Sequence, residues 1–139
     1  MDAGRRSFIA SATGALAALA ALDWSEVAQA AQHAHAAASD PATTFTNLTA
    51  AQAATVIAIA ARIVPTDDAP GATEAGVVYF IDRGLGSFLA SGRGDFLKGL
   101  AEFEAQAAAA HAGKAFTALP AETQDAFLKC VETSAFFNQ

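Results

Sequence analysis

The sequence predicts an all-α fold, an irregular bundle of about four helices behind an N-terminal export segment. Three observations lead there. Apolar residues recur at three-to-four spacing in four stretches, no stretch sustains the period-two alternation of a strand, and helix start and stop residues stand at the ends of the periodic runs.

The first run is "NLTAAQAATVIAIAARIVP", in which Thr49 and Gln52 form a T-x-x-Q capping box that satisfies free N-terminal N–H groups reciprocally. A helix is expected from there to Val64, burying Val56, Ile59, Ile63 and Ile57. Pro65 ends it, having no N–H to donate and a ring that clashes with the preceding turn. The loop "PTDDAPGATEAG" concentrates two prolines and two glycines, the composition of a shaped turn.

A second helix is expected from about Glu74, with Thr73 as N-cap and Glu74 at the positive end of the macrodipole. Val77, Ile81, Leu85 and Phe88 form its core stripe, Gly84 and Gly86 weaken it, and "SGRG" ends it. The third helix starts near Asp95, with Phe96, Leu100, Phe103 and Ala107 on one side and Lys98, Glu102 and Gln106 displaced from them. Gly113 stands where a C-terminal cap belongs. Pro120 suits the first turn of a fourth helix, where its missing N–H is harmless, and Phe127, Leu128, Val131 and Ala135 give that helix its apolar face.

Ahead of the bundle, "MDAGRRSFIASATGALAALAALDW" has the layout of a secretory signal, with a small-residue cleavage site at Ala28-Gln29-Ala30. The apolar run from Phe8 to Leu22 falls short of the roughly 20 apolar residues needed to span a bilayer. Ser11, Thr13 and Gly14 weaken it further. Arg5 and Arg6, with Phe8 two places on, point to the twin-arginine (Tat) route, although Gly4, Ile9 and Ala10 depart from the usual pattern. The expected division is a signal segment over 1–30, a linker over 31–45 and a helical domain over 46–139. The linker reading rests on "AAQHAHAAASDPATTF", which shows no apolar periodicity.

Much of the 53% hydrophobic content is alanine, so the core must depend on the ten Phe and the scattered Leu, Ile and Val. A net charge of -6 without a basic stripe argues against nucleic acid or anionic headgroups as partners. Cys130 is the single cysteine, which rules out an internal disulfide. Beside Leu128 and Val131 it reads as a buried, inert thiol, with pairing to another chain as the alternative.

The candidates for chemistry are few. His33 and His35 form H-x-H, but residues two apart diverge on a helix. His111 sits near a helix end, where an imidazolium suits the dipole. Asp67 and Asp68 could bind a metal or act as acid and base, yet adjacent carboxylates in a Pro/Gly loop more often form Asx turns or cap a helix. No phosphate-binding glycine motif, haem attachment motif or nucleophile elbow is present. The residues themselves leave room for a free-standing helical metal-binding protein using His33, His35, Asp67 and Asp68.

The stretch "LTAAQAATVIAIAARIVPTDDAPGATEAGVVYFIDRGL", followed by "FLKGLAEFEAQA" and "FTALPAETQDAFL", resembles the gluconate 2-dehydrogenase subunit 3 family, from about Asn47 onward. The most specific part is "IVPTDDAPGATEAGVVYFID". The resemblance implies a non-catalytic small subunit, with no catalytic, cofactor or metal residues of its own, in a periplasmic sugar or sugar-acid dehydrogenase held at the inner membrane by its partners. FAD is then expected in a large partner subunit and haem c in a multihaem cytochrome subunit. The small subunit is associated with export and maturation of the flavoprotein through the Tat translocase. Such sequences usually continue past the double Phe into a Gly-rich tail, whereas this one stops at "FFNQ", which leaves the C-terminal contact open. The partner interface is expected around Pro65, Asp67, Asp68, Pro70, Gly71, Glu74 and Gly76, with Cys130 as a candidate inter-chain thiol.

Overall fold

A computed structural model describes residues 23–40 and 42–133. Arg5, Arg6, Phe8, Ala135 and the terminal "FFNQ" lie outside these residues. Five α-helices and no strand are found among the described residues: α1 (Trp24–Ala38), α2 (Ala50–Ile63), α3 (Val77–Leu85), α4 (Arg93–Ala110) and α5 (Ala121–Thr133). Short 3₁₀ turns at Ala90–Gly92 and Phe116–Ala118 precede α4 and α5. The all-α expectation holds.

Helix α1 corrects the reading of 31–45 as a linker, because residues 31–38 are helical. Asp23 caps it: its Oδ1 accepts from the Ser25 N–H at 2.9 Å and the Glu26 N–H at 3.4 Å. Ala30, Ala34 and Ala37 are buried, and the helix packs on α3. Phe45, at the other end of the expected linker, stacks on Tyr79 with ring centroids 5.1 Å apart. The buried positions are all alanine, a residue that also stands at exposed Ala28, Ala31 and Ala36, so the buried stripe carries no large apolar side chain to mark it in the sequence.

Helix α2 starts as its capping box dictates. The Thr49 N–H donates to Gln52 Oε1 at 2.9 Å and the Gln52 N–H to Thr49 Oγ1 at 3.2 Å. Val56 is buried and Ile57 and Ile59 half-buried, but Ile63 is 68% exposed, against expectation. Helix α3 starts three residues later than expected, at Val77, and Thr73 does not cap it. Gly76 takes the cap position with φ +68 and no side-chain cap. Its core contacts come from Val78 and Leu85, while Val77, Ile81 and Phe88 are half-buried.

Helix α4 buries Leu100 and Ala107 and half-buries Phe96 and Phe103, the expected stripe. It ends at Ala110 with His111 as C-cap; Ala112 takes the first left-handed position (φ +56), and Gly113 (φ +82), the expected cap, follows it and donates its N–H to the Ala108 carbonyl at 2.8 Å. Pro120 lies just ahead of α5, and its carbonyl accepts from the Thr123 and Gln124 N–H groups. Cys130 is exposed, which corrects its reading as a core thiol.

Two apolar clusters make the core, and Ile59 touches both. One gathers Leu48, Ala53, Val56, Val78, Leu85 and Leu100; the other gathers Ala107, Phe116, Leu119, Phe127 and Val131. Phe103 meets Phe116 and Phe127 edge-on, at 4.9 and 5.3 Å between centroids. Phe116 is fully buried, worth about 3 kcal/mol by area. Its N–H donates to Glu104 Oε2 at 3.2 Å and its carbonyl accepts from Gln124 Nε2 at 2.9 Å, so both backbone groups are paired.

Candidate functional site

The chain leaving α2 passes at once into the loop on which the expected interface residues lie. Pro65, Asp67, Asp68, Pro70 and Glu74 are exposed there, whereas Gly71 and Gly76 are buried. The loop is tied internally. Glu74 accepts from the Thr66 hydroxyl at 2.8 Å and the Gly71 N–H at 3.1 Å, Asp67 Oδ1 accepts from the Ala69 N–H at 2.9 Å, and the Ala72 N–H donates to the Val64 carbonyl at 2.9 Å. Thr66, more than any other group, holds the Glu74 carboxyl below the usual range. Asp67 therefore forms the Asx turn that its neighbours suggested.

Gly71 closes this loop by direct backbone contact. A Cβ there would lie 2.6 Å from Thr66 N, 2.8 Å from the Pro65 carbonyl carbon and 2.8 Å from Val64 O, all main-chain atoms that cannot swing aside. Gly71→Ala is therefore expected to destabilise the protein by about 1–3 kcal/mol, as overpacking does. Thermal unfolding monitored by circular dichroism checks this; an unchanged midpoint would show that the loop can be redrawn freely.

Beside the loop, α2, α4 and α5 leave an open groove of about 770 Å³, walled by Ile59, Ile63, Phe103, Leu128 and Val131. Ile63 and Val64, 68% and 51% exposed, continue this apolar surface into the loop. Arg62 and Asp125 lie at the rim and bind each other in a fork, Nε to Oδ1 at 2.6 Å and Nη2 to Oδ2 at 2.8 Å. Arg62's hydrogen bonds hold the Asp125 carboxyl below its ordinary range. The bridge pins α5 to α2 in one register.

A second polar arrangement, not foreseen, sits under α3. Asp82 is 2% exposed, and its Oδ1 accepts from the Asn47 and Leu48 N–H groups, both at 2.8 Å. Its Oδ2 accepts from the Thr46 N–H and hydroxyl, both at 3.0 Å, and Asn47 Nδ2 donates back to the Asp82 carbonyl at 2.7 Å. Burial by itself would raise the Asp82 pKa. The donors from Thr46, Asn47 and Leu48 outweigh it and hold the carboxyl below the ordinary value. Val78, Asp82 and Leu85 share one face at four- and three-residue steps, and an acid on that apolar face was the signal in the sequence.

The other foreseen residues are scattered. His33 and His35 are exposed on α1, and His111 ends α4 with its ring edge-on to Phe127 at 5.7 Å. Among the described residues, no three of His, Cys, Asp and Glu gather as a metal site would require, so His33 and His35 are not brought to Asp67 and Asp68 as part of one. No helix among them is long and apolar enough to cross a membrane.

Fold and surface define a small all-α domain with a stiff, internally bonded loop beside an apolar groove. The chain belongs to the gluconate 2-dehydrogenase subunit 3 family, whose sequence model matches residues 50–139. Helices α2 to α5 thus fall within the matched stretch and α1 lies ahead of it. The family is one of subunits of a dehydrogenase complex. No curated protein and no solved structure matches the chain.

Proposed function

We propose that the chain is the non-catalytic small subunit of a periplasmic FAD-dependent sugar or sugar-acid dehydrogenase, and that it escorts the flavoprotein subunit through Tat export and stabilises it. The observation that carries this reading is family membership across α2 to α5. Arg5 and Arg6 at the start of the same chain support the export half. Folded cargo is the speciality of that route, and a flavin inserted in the cytoplasm is a reason to fold first. FAD then belongs to the large subunit, and haem c to a third subunit where one exists.

The stabilising half follows from mass action. A partner that binds only the folded flavoprotein raises its apparent stability by about 2.7 kcal/mol when present at roughly 100 times its Kd. The surface best suited to that contact is Ile63, Val64 and the groove, with the exposed residues of the neighbouring loop at its edge. An apolar centre with a polar rim is the usual anatomy of such interfaces.

Purification through a tag on this subunit tests the reading: a yellow flavoprotein is expected to co-purify, with or without haem bands. Recovery of the chain alone from its source organism, under conditions that preserve complexes, would defeat it. Ile63→Asp refines the test. Because Ile63 is largely exposed in the free chain, its replacement is expected to alter stability by no more than about 0.5 kcal/mol. It is expected to weaken partner capture by about tenfold or more, as the loss of an interface anchor does. Undiminished capture would move the interface elsewhere.

A further inference from the structure

The small-residue motif Ala28-Gln29-Ala30 lies inside α1, with Ala28 and Gln29 on the exposed side of the helix and Ala30 on its buried side. Ala30 is fully buried, and Ala34 and Ala37, four and seven residues on, are 3% and 4% exposed. The helix packs on α3, and at Ala34 it meets the start of α3, where the two backbones come unusually close. A Cβ on Gly76 would lie 2.5 Å from the Ala34 carbonyl oxygen and 3.0 Å from the Ala38 Cβ. Gly76 also takes a positive φ of 68°, a second reason for glycine there. The domain is thus shaped to receive this helix, and the helix begins with its own cap at Asp23.

We propose that the bond after Ala30 is not a processing site in this protein, and that the exported chain keeps α1 whole, with its N-terminus at Asp23 or earlier. A processing protease must unwind the residues around the bond it cuts. A bond inside a packed helix is open to it only in the fraction of molecules that have locally opened. This rests on the export reading: a Tat passenger is folded before it meets the protease, so α1 is already docked. A cut after Ala30 would also remove the Asp23 cap and the buried Ala30, leaving eight helical residues, fewer than a helix needs without strong packing.

Two measurements on the full chain test the proposal separately from its premise. Intact-mass and N-terminal analysis of protein recovered from the periplasm is expected to place the N-terminus at or before Asp23, and an N-terminus at Ala31 would overturn the proposal. Failure to reach the periplasm would count against the export reading instead. Digestion of the purified chain with elastase, which cuts after small residues, needs no export and then decides the matter. Residues 24–38 are expected to survive within the protected core, and an early cut at 28–31 would overturn the proposal. Ala34→Asp, which sets a carboxylate against the Gly76 backbone, is expected to speed cutting within 24–38 by about tenfold or more, since cleavage follows the opened population. Ala36→Asp, on the exposed face, is expected to leave that rate unchanged. Equal rates in the two variants would show that docking is not what protects the site.

Discussion

Asp82→Ala is expected to destabilise the protein by about 3–5 kcal/mol, since it strands the Thr46, Asn47 and Leu48 N–H groups at roughly 1–3 kcal/mol each, less what water recovers. That is a large part of the 5–15 kcal/mol typical of a whole domain. These donors belong to the strap that leads into the Thr49 cap, so the start of α2 and its seat on α3 loosen together. Asp82→Asn is a milder change of similar shape. Its remaining carbonyl can keep the Asn47 and Leu48 bonds, but its NH₂ then faces the Thr46 N–H, and about 2 kcal/mol is expected to be lost. Urea unfolding of the three proteins measures both costs; a loss below 1 kcal/mol for Asp82→Ala would mean that the strap is held by something else.

The same carboxyl gives stability a pH dependence of definite sign. Its pKa is lower in the folded chain than in the unfolded one, so the folded state binds the proton less readily. The stabilisation is complete above the ordinary Asp pKa of about 3.9 and is lost as pH falls through the lower folded value. Asp125, held low chiefly by Arg62, acts with the same sign. Acid unfolding is therefore expected to be steeper in the wild-type chain than in Asp82→Asn, which has no carboxyl at that position.

Replacing Arg5 and Arg6 together by lysine is expected to abolish periplasmic recovery of this chain and of the flavoprotein together, because a twin-arginine address is read by a receptor rather than by charge alone. The loss should extend to the dehydrogenase activity of the periplasmic fraction, while the cytoplasm retains both polypeptides. Fractionation with blotting for each subunit gives the result. Normal export of the flavoprotein beside a stranded small subunit would end the escort reading and leave the stabilising role standing.

These predictions draw on two kinds of information. The Thr49–Gln52 box, Pro65 and Pro120 are local devices, each satisfying or denying backbone hydrogen bonds within a few residues, and each marks a helix boundary where the sequence placed it, while Gly113 falls just past the end of α4, after Ala112 has already taken the left-handed turn. The α4 stripe was legible for a related reason: Phe and Leu stand out from alanine, so their spacing shows which face is buried. Helix α1 was not legible, because its buried stripe is alanine alone, and Ala30, Ala34 and Ala37 do not stand out from the exposed Ala28, Ala31 and Ala36. Ile63 failed in the opposite sense. It follows the helical period, yet α2 runs past its neighbours and leaves it at the edge of the groove.

The sequence by itself determined an all-α chain, its family, four of the five helices and a stiff loop after α2, since these depend on local backbone chemistry and on contrast between side chains. Only the tertiary structure decided that Asp82 gathers three N–H groups from a strap more than thirty residues away and that Arg62 pairs with Asp125. It also decided that Gly76 is a seat for α1 and that Cys130 faces solvent. The physical reason is common to all four. Which groups meet across the bundle depends on how the helices cross, and that is settled by the fit of whole faces rather than by any short stretch of chain.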